Sequence, residues 1–175
     1  MILSSMTMMQ TFTGKVIDLA NFSEDDVRLA DIAHSLSIIN RFTGHTKEPY
    51  SVAQHSVLVS KIVEERHALW ALLHDASEAY VGDVATPLKV MLPNYRELEE
   101  HIQKTIAQKF GLKWPMPHEI KEADLKALMA EKRDLIPGGH DWGIPVDPAA
   151  GEVKPCSWRE AKKLFEERYK ELVPL

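Results

Sequence analysis

The chain has 175 residues, with 21 Lys and Arg against 26 Asp and Glu, a formal charge of −5. That balance argues against a broadly basic face for nucleic acid polymers or anionic membranes, and no apolar run nears the roughly 20 residues of a membrane span. The one cysteine, Cys156, can close no internal disulfide and build no thiolate metal site, which fits a reducing cytoplasm.

The opening MILSSMTMMQ has no basic stretch ahead of an apolar run, so no secretory leader is expected. The length fits one domain, residues 1–175, able to bury a core without disulfides. The only place for strand is within the first twenty residues, around Lys15–Leu19, as part of a short N-terminal hairpin. Beyond it the periodicity is helical, and the expected class is all-α. Asp31 is placed to N-cap a helix with Ile32, Leu36 and Ile39 on its apolar face. Ser51 opens the next, with Val52, Leu58, Val59 and Ile62 on one side. A third spans roughly 66–81, apolar at Leu69, Leu72, Leu73 and Ala76, and stops at Gly82. After a break at Thr86-Pro87, a fourth runs from Pro93 to Phe110 and ends at Gly111. Pro117 starts a fifth, carrying Ile120, Leu125, Leu128 and Met129, stopped by Pro137. The last begins at Ser157, where Ser157 and Glu160 spell a capping box. Between these two lies Pro137–Pro155, with four Pro and four Gly, and a loop that long is functional or mobile. Trp70, Phe110, Trp114 and Phe165 read as core or interface, and the isolated His34, His45 and His118 as ordinary polar residues.

The residues that carry chemistry are His55, His74, Asp75 and Asp124. Taken singly, each reads as a polar group satisfied by a neighbouring helix. The adjacent pair in WALLHDASEAY is harder to dismiss, because each group set into an apolar pattern must find a partner or stay in water. A divalent cation accepts both. Two imidazoles and two carboxylates from three helices make an N₂O₂ site, suited to zinc, manganese, iron, cobalt or nickel rather than to a thiolate-loving metal.

A distant His, an HD pair and a later Asp together resemble the signature of the HD-domain phosphohydrolases. INRF (39–42), SVAQHS (51–56), LLHDASEAYVGDVATPLK (72–89) and IKEAD (120–124) all resemble stretches of the bacterial HD-type 5′-deoxynucleotidases, in the same order. At whole-chain level the chain looks similar to phage dATP triphosphohydrolases of the DatZ type, which serve phages that use 2-aminoadenine. The resemblance implies an HD-domain helical bundle with His55, His74, Asp75 and Asp124 as ligands of a divalent metal. Zinc, cobalt or manganese are expected, with magnesium accompanying a triphosphate. It also implies a homo-oligomer, a dimer or higher, located in the cytoplasm of the cell or phage host.

Glu78 lies four residues after His74 and three after Asp75, on the same helix face, and Asp83 follows the turn at Gly82. Equivalents of both flank the phosphate in the family, which implies acid–base or water-orienting roles. Arg41 matches the family's phosphate-contacting arginine, and its planar fork suits a phosphate. Lys89 and Lys121, with Thr86 donating a hydroxyl, are expected to hold outer phosphates. Phe42 and Pro87 are expected to pack on sugar and base; the family has Trp at the position of Phe42 and Pro at that of Ala85. The leading reading is a metal-dependent dATP triphosphohydrolase releasing deoxyadenosine and triphosphate. The alternatives are a 5′-deoxynucleotide monophosphatase and a non-catalytic nucleotide-binding HD module, the latter disfavoured by intact Glu78 and Asp83.

Overall fold

The computed structural model describes residues 6–173; the first half of the segment read for a secretory leader lies outside the described residues. Helix dominates, as expected, after a short hairpin. Strands β1 (Met8–Gln10) and β2 (Val16–Asp18) run antiparallel, with Met9 opposite Ile17. Gly14, at φ +81°, lets the chain reverse between them. Ile17 is buried and plugs the helical core from this side.

The helices are α1 (Leu29–Ile38), α2 (Val52–Ile62), α3 (Glu65–Leu72), α4 (Glu78–Val81), α5 (Thr86–Lys89), α6 (Pro93–Lys109), α7 (His118–Leu135) and α8 (Trp158–Leu172). Helix α2 is the central one, packed against α1, α3, α7 and α8. Its Val52, Ala53, Val57 and Val59 are buried, each valine contributing about 1.5–3 kcal/mol on full burial. Ser51 caps it, its Oγ accepting from the Gln54 N–H at 3.2 Å. Ser157 caps α8 in the same way through the Glu160 N–H. Trp70 and Phe165 are buried as expected. No helix among the described residues is long and apolar enough to cross a membrane.

The elements depart from the sequence reading in three places. Helix α1 begins at Leu29 with Arg28 as N-cap, not at Asp31. Asp31 is instead buried in the first turn, where its carboxylate accepts from the Thr13 N–H at 2.7 Å and the Thr13 hydroxyl at 3.0 Å. The hairpin turn takes the carboxylate that would otherwise cap the helix. The helix expected over 66–81 breaks after Leu72, turns through residues 73–77 and resumes as α4. Gln103 of α6 satisfies the opened backbone, donating to the Leu73 carbonyl at 2.8 Å and accepting from the Ser77 N–H at 2.9 Å. The Thr86-Pro87 break carries a turn of helix, α5, since proline is tolerated in a first turn. Segment 137–155 lies along α7, with the Ala149 N–H on the Lys126 carbonyl at 2.9 Å and the Val153 N–H on Asp134 Oδ2 at 2.8 Å.

Candidate metal centre and active-site cavity

The turn at 73–77 presents His74 and Asp75 to the side of α2 that carries His55 and to the middle of α7, which carries Asp124. His55 Nε2 lies 3.3 Å from His74 Nε2, 3.0 Å from Asp124 Oδ1 and 3.5 Å from Asp75 Oδ2. His74 Nε2 is 3.2 Å from the same Asp75 oxygen. One donor atom each from His55, His74 and Asp124 fits within 4.8 Å of one another. Both histidines are buried, while Asp75 and Asp124 are partly open. The HD pair thus stands in a turn rather than on a helix face, and the turn still converges the four groups.

The outer nitrogens decide what the inner ones can do. His74 Nδ1 is 2.7 Å from the Ala71 carbonyl, which only accepts, so this nitrogen carries the proton. His55 Nδ1 is 2.6 Å from Glu131 Oε1 and donates to it. Each imidazole therefore turns Nε2 toward its neighbour, and the two nitrogens, 3.3 Å apart, call for a shared proton or a metal ion between them. Carboxylates behind and beside such histidines are the usual support of a metal ligand. The donor set fits a divalent ion of the nitrogen- and oxygen-binding kind.

The protein's own field says the same. Burial and the Arg41 charge act to lower the His55 pKa, but Glu131 and Asp124 outweigh them and hold it up at about 9. Burial would raise Asp75; His74, His55 and Arg41 hold it well below the usual carboxylate range. The centre is a place where positive charge is strongly favoured.

Glu131 escapes the sequence reading and organises the site. It is fully buried on α7, two turns beyond Asp124, and joins His55 to Arg41, whose Nε it accepts at 3.0 Å. Its only sequence signal is a glutamate in register with Ile120, Ala123 and Ala127, where the helix should be apolar. Glu131→Ala should cost about 3–5 kcal/mol of stability by stranding the buried Arg41 charge. Glu131→Gln should lose less. Urea denaturation of both variants checks this; a loss in the alanine variant no larger than the ~1 kcal/mol of an exposed ion pair would contradict it.

Beside the centre opens a cavity of about 840 Å³, within the range of small-molecule sites. Arg41 enters it with a terminal nitrogen 3.7 Å from Asp75 Oδ2. Phe42 and Thr43 follow at φ +56° and +52°, a region that costs a non-glycine residue about 1–3 kcal/mol each. The bend keeps both the Arg41 guanidinium and the Phe42 ring on the cavity wall, 5.2 Å apart. Glu78 lines the wall next to Asp75. One of its oxygens is buried with no partner and the other lies 3.5 Å from Lys89 Nζ. Burial first, then the charges of Asp75 and Asp83, push the Glu78 carboxyl well above its ordinary range. Asp83 is raised as well, by burial, with Arg41 opposing and Asp75 adding. Lys89 Nζ is 2.6 Å from Glu99 Oε1, and its pKa rises because Glu99 and Glu78 outweigh the burial that would lower it. Thr86 and Pro87 also line the cavity.

Lys121 is not brought in. It is exposed and absent from the lining, because the cavity follows α7 from Asp124 toward its C-terminus, through Leu125 and Leu128 to Ile136. Lys121 lies about 4.5 Å the other way along the axis. His45, read as ordinary, does line the cavity, and His140, Asp141 and Trp142 of the long loop close its far wall.

Residues 2–136 match the family described as "5′-deoxynucleotidase YfbR-like". The chain is 42% identical over 175 residues to YfdR of Escherichia coli (strain K12), described as uncharacterized, covering 97% of this chain and 98% of that one. It is 36% identical over 115 residues to the 5′-deoxynucleotidase yfbR of Photorhabdus temperata, covering 65% of this chain and 49% of that protein. A 5′-deoxynucleotidase of Yersinia pestis (strain Pestoides F) is 33% identical over 113 residues, covering 63% of this chain and 48% of that protein. The chain spans about half the length of these named deoxynucleotidases. The family match takes in His55, His74, Asp75 and Asp124 together with Arg41, Glu78 and Asp83, and extends over well more than half of the chain. The chain belongs to the YfbR-like 5′-deoxynucleotidase family, a family of HD-type hydrolases.

Proposed function

We propose that residues 1–175 work as one HD-type domain that hydrolyses the phosphate ester of 5′-deoxynucleotides with a divalent metal. The observation that carries this is the convergence of two Nε2 atoms, Asp75 and Asp124 at the mouth of a cavity that also receives Arg41 and Glu78. His55, His74, Asp75 and Asp124 would hold the ion, which would supply polarisation of a phosphoryl oxygen and a lower pKa for a bound water. Arg41, locked by Glu131, offers its fork to the phosphate nearest the scissile bond. Glu78, whose carboxyl burial and the charges of Asp75 and Asp83 push well above its ordinary range, gives a proton to the 5′ oxygen as the P–O bond breaks. Asp83, across the cavity wall, orients the water that supplies the new P–O bond. Lys89 tunes Glu78 and offsets phosphate charge.

The finer reading is release of triphosphate from dATP, as in phage enzymes that deplete dATP beside 2-aminoadenine. Its support is the motif resemblance. Charge favours the smaller substrate. Among the described residues, the cavity lining offers Arg41 and Lys89, each already paired to a carboxylate, and Lys121 stands outside it. A triphosphate would have to bring its own magnesium, whereas a monophosphate is matched by the metal and Arg41.

Product analysis decides this. Metal-loaded protein should convert dAMP to deoxyadenosine and phosphate. With dATP, triphosphate as product would establish the triphosphohydrolase reading, and no turnover would leave the monophosphatase. Absence of hydrolysis of both by protein shown to contain metal would overturn the enzyme reading in favour of a binding module.

A further inference from the structure

The family match ends at residue 136, but the cavity wall does not. It continues in the segment that follows, and the structure shows how that segment is held. The Ala149 N–H binds the Lys126 carbonyl, Ala149 itself is buried, and the Cys156 N–H binds Gln54 Oε1 at 3.0 Å. Residues 137–155 are thus a strap pinned along α7 and back to α2. At its apex the Gly143 N–H donates to Asp141 Oδ1 at 2.9 Å, a local turn that sets the direction of Trp142.

Trp142 faces Phe42, with ring centroids 6.2 Å apart at 50°. The Lys132 ammonium lies 5.2 Å from the indole centroid and fixes it from behind. That spacing makes the two rings one continuous aromatic wall rather than a slot. Lys132 follows Asp124 by eight residues, about 12 Å along the axis of α7. The cavity therefore has a charged end at the metal-ligand cluster, and away from it the lining mixes the rings of Phe42 and Trp142 and the side chains of Leu128 and Ile144 with the polar His140 and Asp141. Trp142 keeps 37% of its surface exposed although it lies on an otherwise well-anchored strap. A large aromatic held at a cavity rim with an open face is a surface for a flat ligand.

We propose that Trp142, carried on the 137–155 strap, is the nucleobase-binding residue of this chain. With Phe42 it forms a wall on which the base of the deoxynucleotide stacks, purines better than pyrimidines because their π-face is larger. The ligand class follows from the lining of the cavity: a phosphate at the metal-ligand end, and a flat ring with polar edges where Phe42 and Trp142 stand beside His140 and Asp141. The assignment rests on the deoxynucleotide reading of the site. It places base selection in a segment beyond the family match, while the hydrolytic residues lie within it.

The test separates the two readings. Deoxyadenosine, which carries no phosphate, is titrated into the whole protein while tryptophan fluorescence is followed. Quenching is expected in the wild type and its loss in Trp142→Phe, where the other three tryptophans remain. In parallel, kcat/KM is measured for dAMP and for 2-deoxyribose 5-phosphate, which lacks a base. Trp142→Ala should shrink the preference for dAMP by roughly 5- to 150-fold, the worth of one base–aromatic stack, mainly through KM. No quenching in the wild type, quenching that persists in Trp142→Phe, or an unchanged preference in Trp142→Ala would overturn the base-wall assignment. Failure of every phosphate ester to be cleaved would instead overturn the hydrolase reading.

Discussion

Asp75→Ala protein is expected to lose its metal and its turnover together. Asp75 Oδ2 lies near both imidazole Nε2 atoms, 3.2 Å from His74 and 3.5 Å from His55, a place it shares with Asp124 Oδ1 at 3.9 and 3.0 Å. Without it, Arg41 faces the histidine pair with one less carboxylate between them, and the field that favours a cation weakens. His74→Ala should behave alike, since it removes a nitrogen whose tautomer the Ala71 carbonyl already sets for ligation. In the wild type, dialysis against a strong chelator should abolish hydrolysis, and cobalt, manganese or zinc should restore it. Metal analysis of purified proteins and hydrolysis of dAMP are the two readouts. Wild-type turnover by chelator-treated, metal-free Asp75→Ala protein would refute the metal assignment. A variant that retains metal yet loses turnover would move Asp75 from ligand to a purely electrostatic role.

How much of this was legible in the sequence depends on the distance of the deciding partner. Helices α2, α6, α7 and α8 could be read because their starts are local: Ser51, Pro93, Pro117 and Ser157 act on the next few residues. Asp31 was misread because its partner, Thr13, lies 18 residues away in the hairpin turn. The third helix was read as continuous because WALLHDASEAYV keeps an apolar period through the break. Gln103, from another helix, makes the opened turn tolerable. That break has a consequence for the site, since it frees His74 and Asp75 from a fixed 100° separation and lets both face α2 and α7.

The site divides along the same line. His55, His74, Asp75 and Asp124 stand out because each sits in or beside an apolar pattern, where an ionisable group needs a reason. Glu131 stands in a deeper apolar register than any of them, yet its role depends on Arg41 and His55, 90 and 76 residues away. Lys121 was assigned by helical spacing from Asp124, but spacing says nothing of which way along α7 the cavity runs. Trp142 lay in a segment with no periodicity to read, and its place on the wall shows only in its contacts with Phe42 and Lys132, 100 and 10 residues away.

Glu78→Gln should retain metal and lose roughly 10²–10⁴-fold in kcat, the usual worth of a positioned acid or base. Glu78 Oε1 faces Lys89 Nζ at 3.5 Å rather than the imidazole Nε2 atoms that Asp75 and Asp124 approach, so the metal content should stay as in the wild type. Its carboxyl is raised by burial and by the charges of Asp75 and Asp83, with Lys89 and Arg41 acting the other way, so the neutral acid persists well above the ordinary carboxylate pKa. As the proton donor to the leaving oxygen it is active below that raised pKa, and kcat should fall as pH rises through it. Glutamine cannot ionise, so that alkaline fall should vanish from the residual activity of the variant. Stability follows with a definite sign. A carboxyl whose folded pKa exceeds its unfolded value binds more protons in the folded state between the two, so stability declines with rising pH across that window. Glu78→Gln removes this decline, and the variant should gain on the wild type in urea denaturation as the pH is raised above the ordinary glutamate range. A variant that loses metal along with turnover would make Glu78 a ligand. A variant with full kcat and an unchanged pH profile would pass the acid role to Asp83, the other raised carboxyl in the cavity.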